Sequence, residues 1–452
     1  MADARQYDLG QDIRARDRRY VLHPWATQGD VHAPIMAGAR GCTLWDVNGK
    51  EYLDFSSQLG NVNLGFGDQR VLDAMAAQAR ELAYVSPAYL NAPQARLAEQ
   101  IAGIAPGDLV KTFFSVGGSE ANEVAIQLAR LYTGRQKIIS SYRSYHGGTL
   151  GTHAASGVVS SNASGLGQPG MVRALWQDCY QCPFGQTYPG CGIECAEQYE
   201  YLIQLEEPSQ VAAIIIEPVR VGDGVQIPPP EFLPKLREIC NRYGVLLILD
   251  EVVTGFGRTG RWFASEHWGV VPDIMTMAKG LNSGYAALGA TIVGQKIADF
   301  FDDHFIHFGF TNGGQPLAFA VGSAVIEAYQ ADGLVAHAAE MGEVLHAELL
   351  AIQARHRSVG DVRCLGLMGA LELTRNRATR ASLISSIEPV NYSAPSPLES
   401  MKALLLERGL LAPLRGSTLR VYPPLCVTEA QLRHGLAIMD EALEIADALV
   451  PA

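Results

Sequence analysis

The chain has 452 residues, 48% of them hydrophobic and 18% charged, with a formal net charge of −12 and a pI near 5.4. That describes a globular protein with more than one core, neither disordered nor basic enough for non-specific binding to nucleic acid or an anionic membrane surface. Residues 1–20 are charged and lack a secretory h-region, and no apolar run approaches the ~20 residues that span a bilayer, so the cytoplasm is the expected compartment.

Residues 1 to about 60 read as turns and short strands, with a hairpin signal in the apolar alternation around Asn48-Gly49. Apolar residues then recur at helical spacing from Asp68 to Leu82 and from Ala95 to Ile104. KTFFSVGGSEANEVAIQLARLY reads as strand, glycine turn and helix, with Ser119 as a candidate N-cap. KIISSY is a second strand and leads into Tyr145-His146-Gly147-Gly148. Residues 156–196 are rich in Gly, Ser, Pro and Cys and read as a surface excursion. VAAIIIEPV is a third strand, ending in Glu217; the helix FLPKLREICNRYG follows. Further strands are GVLLILD, PDIMTMAK and ALGATIVG; helical patterns fill Gln315 to Tyr329 and Leu334 to Ala354.

Beyond Gly360 the pattern changes to DVRCLGLMGALEL, a polar stretch with Pro389, Pro395 and Pro397, the helix MKALLLERG, the strand TLRVY, and a final helix from Glu429 to Leu449. The spacing predicts an α/β protein with residues 68–330 as a large doubly wound domain. Residues 1–67 and 331–452 are expected to combine into a smaller α+β domain.

Two of the strands end in charges: Asp250 closes GVLLILD and Lys279 closes PDIMTMAK. Short apolar runs of this kind are buried parallel strands, and ligands gather at the carboxyl ends of such strands. A plain buried ion pair would explain an acid and an amine there. A cofactor with a cationic nitrogen and an aldehyde would use both better, the acid holding the nitrogen and the amine forming a Schiff base. Ser115-Val-Gly-Gly-Ser119 precedes a helix, where backbone N–H groups and the helix dipole suit a phosphate. Tyr145 follows a strand and could lay its ring on a planar ligand.

Four of the eight cysteines cluster as Cys179-x2-Cys182-x8-Cys191-x3-Cys195. Such a cluster reads as a metal site sooner than as disulfides, yet the spacing departs from zinc-ribbon forms and no histidine lies within it, so reduced thiols without a catalytic role are expected, no metal is assigned, and a metal site is the alternative.

In combination these segments resemble the class III (omega-type) aminotransferases, pyridoxal 5′-phosphate enzymes of fold type I. The resemblance rests on GGSEANEVAIQLAR, SYHG, IIIEPV, LILDEVVTGFGRTG, MAKGL and TNGGQP in family order, and it covers nearly the whole chain. It implies a large, mixed but mostly parallel sheet domain beside a smaller domain built from both chain ends. It implies that Lys279 binds the cofactor aldehyde and shuttles the proton, and that Asp250 pairs with the pyridine nitrogen. Gly118 and Ser119 would hold the phosphate, Val252 and Tyr145 would flank the ring, and His146 and Glu217 would complete the cofactor shell. Thr311 would reach the phosphate of a neighbouring subunit, which implies a homodimer with active sites at the interface, or a tetramer. The partners implied are an amine or omega-amino acid donor and a 2-oxo acid acceptor, pyruvate or 2-oxoglutarate, exchanged by ping-pong kinetics. RGLLAPLRGSTLRVYPPLCVT and LHPW resemble the taurine aminotransferase-like branch. That places Trp25, Gly60 and Arg415 at the substrate, with Arg415 as the carboxylate clamp and Arg220 as its competitor. Decarboxylases, racemases and aminomutases of the same fold are the alternative reading.

Overall fold

The computed structural model describes residues 2–158, 167–384 and 396–450. Seven strands form the central sheet in the order Leu109–Ser115, Gly289–Gly294, Ile274–Met277, Leu246–Asp250, Val211–Ile216, Lys137–Ser141, Met171–Ala174. Gly289–Gly294 runs antiparallel to both neighbours, and the other pairings are parallel. Val211–Ile216, Leu246–Asp250 and Ile274–Met277 are buried at every position. A parallel sheet covered on both faces demands that, and it explains why these segments are continuously apolar and not alternating.

Helices pack on the sheet with recognisable stops. Gly118–Thr133 ends at Gly134 and Phe232–Tyr243 ends at Gly244, both left-handed, where an L side chain would be strained. Gln69–Glu81 begins at Asp68, whose carboxylate accepts the Arg70 N–H at 2.9 Å.

Both chain ends build two smaller sheets. Met36–Arg40, Thr43–Asp46 and Glu51–Asp54 form an antiparallel set, with Gly49 in the expected hairpin turn at φ +81°. Leu410–Leu411 adds to it in parallel beside Leu53 and Asp54, across most of the sequence. Val359–Cys364, Gly369–Asn376, Thr418–Val421 and Leu414–Arg415 form the other sheet, with Ala381–Ser382 alongside. One continuous apolar core joins residues of the central sheet, such as Met275 and Ile292, to Phe55, Leu371, Leu419 and Leu443. The two parts of the fold are therefore packed on each other and not tethered.

Three expectations need correction. The N-terminal segment is not all turns and short strands, because Ala2–Tyr20 is a helix. It lacks an apolar stripe to betray it; local pairing such as Arg16 with Asp12, at 2.9 Å, supports it instead. The helix after the glycine turn is capped by Gly117, with Ser119 inside its first turn. The 156–196 excursion also supplies the edge strand Met171–Ala174 of the central sheet. Pro389 and Pro395 lie outside the described residues.

Candidate active site

Asp250 stands at the end of its strand, 4% exposed. Its Oδ2 accepts from Asn122 Nδ2 at 2.7 Å and lies 2.8 Å from His146 Nδ1, while its Oδ1 accepts the Val252 N–H at 3.0 Å. Asn122 is itself fixed, its Oδ1 accepting from Thr276 Oγ1 at 2.7 Å. A carboxylate so held is fixed in orientation by partners on both of its oxygens. His146 is buried, and its Nε2 has no partner among the described residues. Beside it Glu217 accepts the backbone N–H of Tyr145 at 3.1 Å and of Val221 at 3.2 Å. Burial pushes the Glu217 carboxyl above its ordinary value.

Lys279 follows the neighbouring strand, in the left-handed region at φ +42°. Such a conformation in a residue other than glycine is strained, and strain of this kind concentrates where geometry serves function. Its Nζ donates to the Leu59 carbonyl at 3.0 Å. Burial lowers its pKa, and Asp250 and Glu217 pull it part of the way back. Yet among the described residues Lys279 forms no ion pair with either acid. The acid acts on the amine electrostatically but no ion pair joins them among the described residues, so the plain ion-pair reading does not describe this site.

Gly118 and Ser119 open a long helix, whose first-turn N–H groups have no intrahelical acceptor. Ser119 Oγ accepts the Gly148 N–H at 3.1 Å. A Cβ on Gly118 would come within 2.8 Å of Val252 Cγ1, and one on Gly147 within 2.5 Å of Ser119 Oγ. The glycines are thus required by close approach. Val252 is brought over Gly118 by the turn after Asp250. Tyr145 is 41% exposed, its Cβ facing Gly222.

These residues fit pyridoxal 5′-phosphate. An N-terminal helix turn for the phosphate, an anchored acid, and a strained lysine of lowered pKa are what a phosphate, a pyridine nitrogen and an aldehyde require. His146 Nε2 is one more polar atom free for such a ligand.

The substrate residues are less gathered. Gly60, at φ +69°, adjoins Leu59, and a Cβ there would lie 3.2 Å from Val253 Cγ1. Arg415 is exposed at the end of a short hairpin strand before Gly416, paired with Thr418 in the ladder, and among the described residues its side chain has no hydrogen bond or ion pair. Trp25 is largely exposed, and Thr311 is exposed, with its carbonyl accepting from Tyr84 Oη at 3.0 Å. No described contact joins either to Lys279 or Asp250. Arg220 is committed elsewhere: it is 1% exposed and donates to Gln177 Oε1 and the Gln177 carbonyl, each at 3.0 Å, and to Asp223 at 3.2 Å. That removes it as a competitor for a substrate carboxylate.

Sequence reading missed Asn122, the Leu59 carbonyl and Arg420. Asn122 is the one polar residue among the otherwise apolar buried positions of the helix Gly118–Thr133. Arg420 is buried and donates to the Val221 carbonyl at 3.3 Å, with its Nε unpartnered. Burial lowers its pKa, and the nearby charge of Arg415 adds to that.

The cysteine cluster lies apart, around a small cleft lined by Cys179, Cys182, Cys191, Cys195, Tyr188 and Glu194. All four are free thiols, and burial pushes Cys179 up to about 11 and Cys195 to about 12. Among the described residues no group of three or more His, Cys, Asp or Glu is placed to hold a metal ion.

The model of the aminotransferase class-III family matches residues 26–443. The chain is 33% identical over 450 residues to taurine–pyruvate aminotransferase of Bilophila wadsworthia, covering 96% of this chain and 97% of that one. It is 33% identical over 418 residues to a leucine/methionine racemase of Thermococcus litoralis, covering 91% of each. The solved taurine:2-oxoglutarate aminotransferase of Bifidobacterium kashiwanohense, in complex with PLP and glutamate, superposes with a TM-score of 0.91 at 35% identity, covering 97% of this chain and 98% of that one.

Proposed function

Because the chain belongs to the class III aminotransferases, fold type I enzymes that move an amino group from an amine donor to a 2-oxo acid with pyridoxal 5′-phosphate, we propose the following division of labour among its residues. Lys279 is the group that carries the cofactor and moves the substrate proton. Burial lowers its pKa, which favours the neutral ε-amine, the form that acts as a nucleophile and then as a general base. Asp250 keeps the pyridine nitrogen protonated, and Asn122 and His146 hold it in place to do so. Gly118 and Ser119 cradle the phosphate, while Val252 and Tyr145 lie against the two faces of the ring. The cofactor, when bound, supplies an electron sink and a carbonyl that stores the amino group between half-reactions. The observation that carries this reading is that Asp250 and Lys279 feel each other's charge yet are anchored by separate partners.

Arg415 is the clamp for the acceptor carboxylate. Its guanidinium is unpartnered, and a left-handed glycine follows it at the hairpin turn. Arginine suits the planar carboxylate because its fork donates two parallel hydrogen bonds. Trp25 and Gly60 shape the donor end. The working unit is a homodimer in which Thr311 reaches the partner's phosphate. Support comes from its exposure and from the solvent-facing apolar side chains of Tyr84, Tyr89, Leu90 and Phe305. All eight thiols are free, which suits a reducing compartment such as the cytoplasm.

Incubating the holoenzyme with a panel of amines and omega-amino acids, including taurine, with pyruvate or 2-oxoglutarate as acceptor, tests the reading. Stoichiometric aldehyde and new amino acid support it. Inversion of leucine or methionine without any 2-oxo acid, and no amino transfer, would favour the racemase alternative that the Thermococcus relative motivates.

A further inference from the structure

Cys42 and Cys426 lie 384 positions apart in sequence, yet their sulfur atoms stand 3.5 Å apart. Cys42 is 2% exposed and precedes the Thr43–Asp46 strand, and Cys426 is half-buried in the segment after Thr418–Val421. They are the two chain ends meeting in the smaller part of the fold. We propose that this pair is a reversible redox site, oxidised by a small hydroperoxide to a disulfide that fastens the two ends together.

The chemistry follows from the asymmetry of the pair. The Cys42 thiol, hydrogen-bonded to its neighbour and buried, is held well above its ordinary pKa, and the same hydrogen bond lowers Cys426. Cys426 is the nucleophile because it is the thiol a peroxide can reach, being half-buried where Cys42 is 2% exposed, and its lowered pKa acts in the same direction. It attacks the peroxide, forming an S–O bond as the O–O bond breaks, and one water or alcohol leaves. Cys42 then attacks that sulfur, the S–S bond forms, the S–O bond breaks, and a water leaves. Two thiols and one hydrogen peroxide thus give one disulfide and two waters. A dithiol reductant reverses the change. The buried position of Cys42 beside the nucleophile is what stops oxidation at the disulfide rather than at sulfinic acid.

The bond would act on the neighbourhood of Lys279. The Cys42 carbonyl accepts the Asp54 N–H at 2.8 Å. Asp54 in turn accepts Ser56 N at 2.8 Å and Gln58 Nε2 at 3.1 Å, and the next carbonyl, that of Leu59, receives Lys279 Nζ. On the other side Leu425 N donates to the Asn63 carbonyl at 2.7 Å, and Arg258 ties Ser57 and Asn63 to the Pro423 carbonyl. The 57–63 loop is held between the two thiol-bearing segments, and a covalent bond between them stiffens it.

The experiment uses wild-type holoenzyme treated with hydrogen peroxide, then alkylated and peptide-mapped. The expected result is a cross-linked Cys42–Cys426 peptide that dithiothreitol abolishes. Amide exchange across residues 57–63 should slow by roughly tenfold, as a linkage closing so long a loop removes opening freedom. In Cys42→Ser, Cys426 should instead be trapped as a sulfenic acid by dimedone. Separate alkylation of the two thiols after oxidation, or a Cys426 sulfinic acid with no cross-link, overturns the proposal. Unchanged exchange in the cross-linked protein overturns its coupling to the loop.

Discussion

The carboxyl ends of the parallel strands and the hairpin at Leu414–Arg415 are built on opposite principles. At the strand ends each functional group is fixed by a neighbour: Asp250 by Asn122, His146 and the Val252 amide, Lys279 by the Leu59 carbonyl. At the hairpin Arg415 is exposed and unpartnered, on a two-residue strand closed by Gly416 at φ +56°. The first region handles a ligand that is always the same. On the proposed reading the second meets substrates that alternate between half-reactions, the 2-oxo acid bringing a carboxylate and an amine donor such as a simple amine bringing none. Preorganisation favours the first, because fixed dipoles cost nothing to reorganise when charge moves. Freedom favours the second, because a buried, fixed cation with no anion to meet would be expensive. If this contrast is real, substitutions in the two regions should differ in size and in which half-reaction they touch.

The largest effect is expected at Lys279. On the proposed roles, Lys279→Ala removes the cofactor-carrying amine and the proton shuttle together, so turnover should fall to background. Circular dichroism and thermal melting should show a folded protein, since Ala relieves a left-handed lysine only slightly. Any turnover near wild type would remove Lys279 from the chemistry.

Asp250→Asn comes next. Asn keeps the shape but loses the charge that holds the ring nitrogen protonated, and loss of one preorganised electrostatic partner costs about 10²–10³ in rate. Stopped-flow measurement should find both half-reactions slowed alike, because both use the same ring. Asn122→Ala, which removes one of the two partners of Asp250 Oδ2 and leaves His146 on it, should give a smaller loss of the same kind. Slowing confined to one half-reaction would break the comparison.

The same contrast explains what the sequence could reveal. Val211–Ile216, Leu246–Asp250 and Ile274–Met277 were legible because burial on both faces leaves an unbroken apolar run, and the charge that ends such a run stands out. Asn122 was hidden because one polar residue inside a helix announces no partner until the strand beside it is known. The helix Ala2–Tyr20 was missed for the reverse reason, since local pairing and not an apolar stripe supports it. Met171–Ala174 was absorbed into its Gly- and Cys-rich surroundings, and four residues at a sheet edge carry little pattern. The Cys42–Cys426 contact joins chain ends and has no local signal at all.

Arg415→Ala should be milder than Asp250→Asn. The side chain is exposed in the chain, and exposed ion pairs contribute little, so the loss in kcat/KM for the 2-oxo acid should be about three- to tenfold. The donor half-reaction with an amine lacking a carboxylate should be nearly unchanged. Rising ionic strength should reproduce part of the loss in wild type and none in the variant, as screening weakens an exposed pair. Equal losses with charged and neutral substrates would mean that Arg415 supports the hairpin and not the substrate.

The smallest effect is a displacement along the pH axis, and it tests the fixed region without removing anything from the reaction. Burial lowers the Lys279 pKa from 10.5, against the opposing pull of Asp250 and Glu217. The neutral amine is the form that attacks the cofactor aldehyde, so loading of apoenzyme should speed up as pH rises and level off before 10.5. Glu217→Gln deletes a charge that raises the lysine pKa, so the levelling should move to lower pH. Stability follows the same sign. Between the depressed folded pKa and the unfolded value of 10.5, the unfolded chain keeps a proton that the folded apoenzyme has lost. Stability from this group therefore rises with pH across that window, and the cost of burying the ammonium is fully present below it. Lys279→Ala should flatten the dependence. Glu217 has its own raised pKa, so Glu217→Gln also removes an acid whose burial disfavours the folded state above that pKa. Following cofactor loading by absorbance separates the two contributions, because only the lysine term changes the rate. A loading profile that shifts upward in Glu217→Gln, or does not shift, would show that Glu217 does not act on Lys279 through its charge.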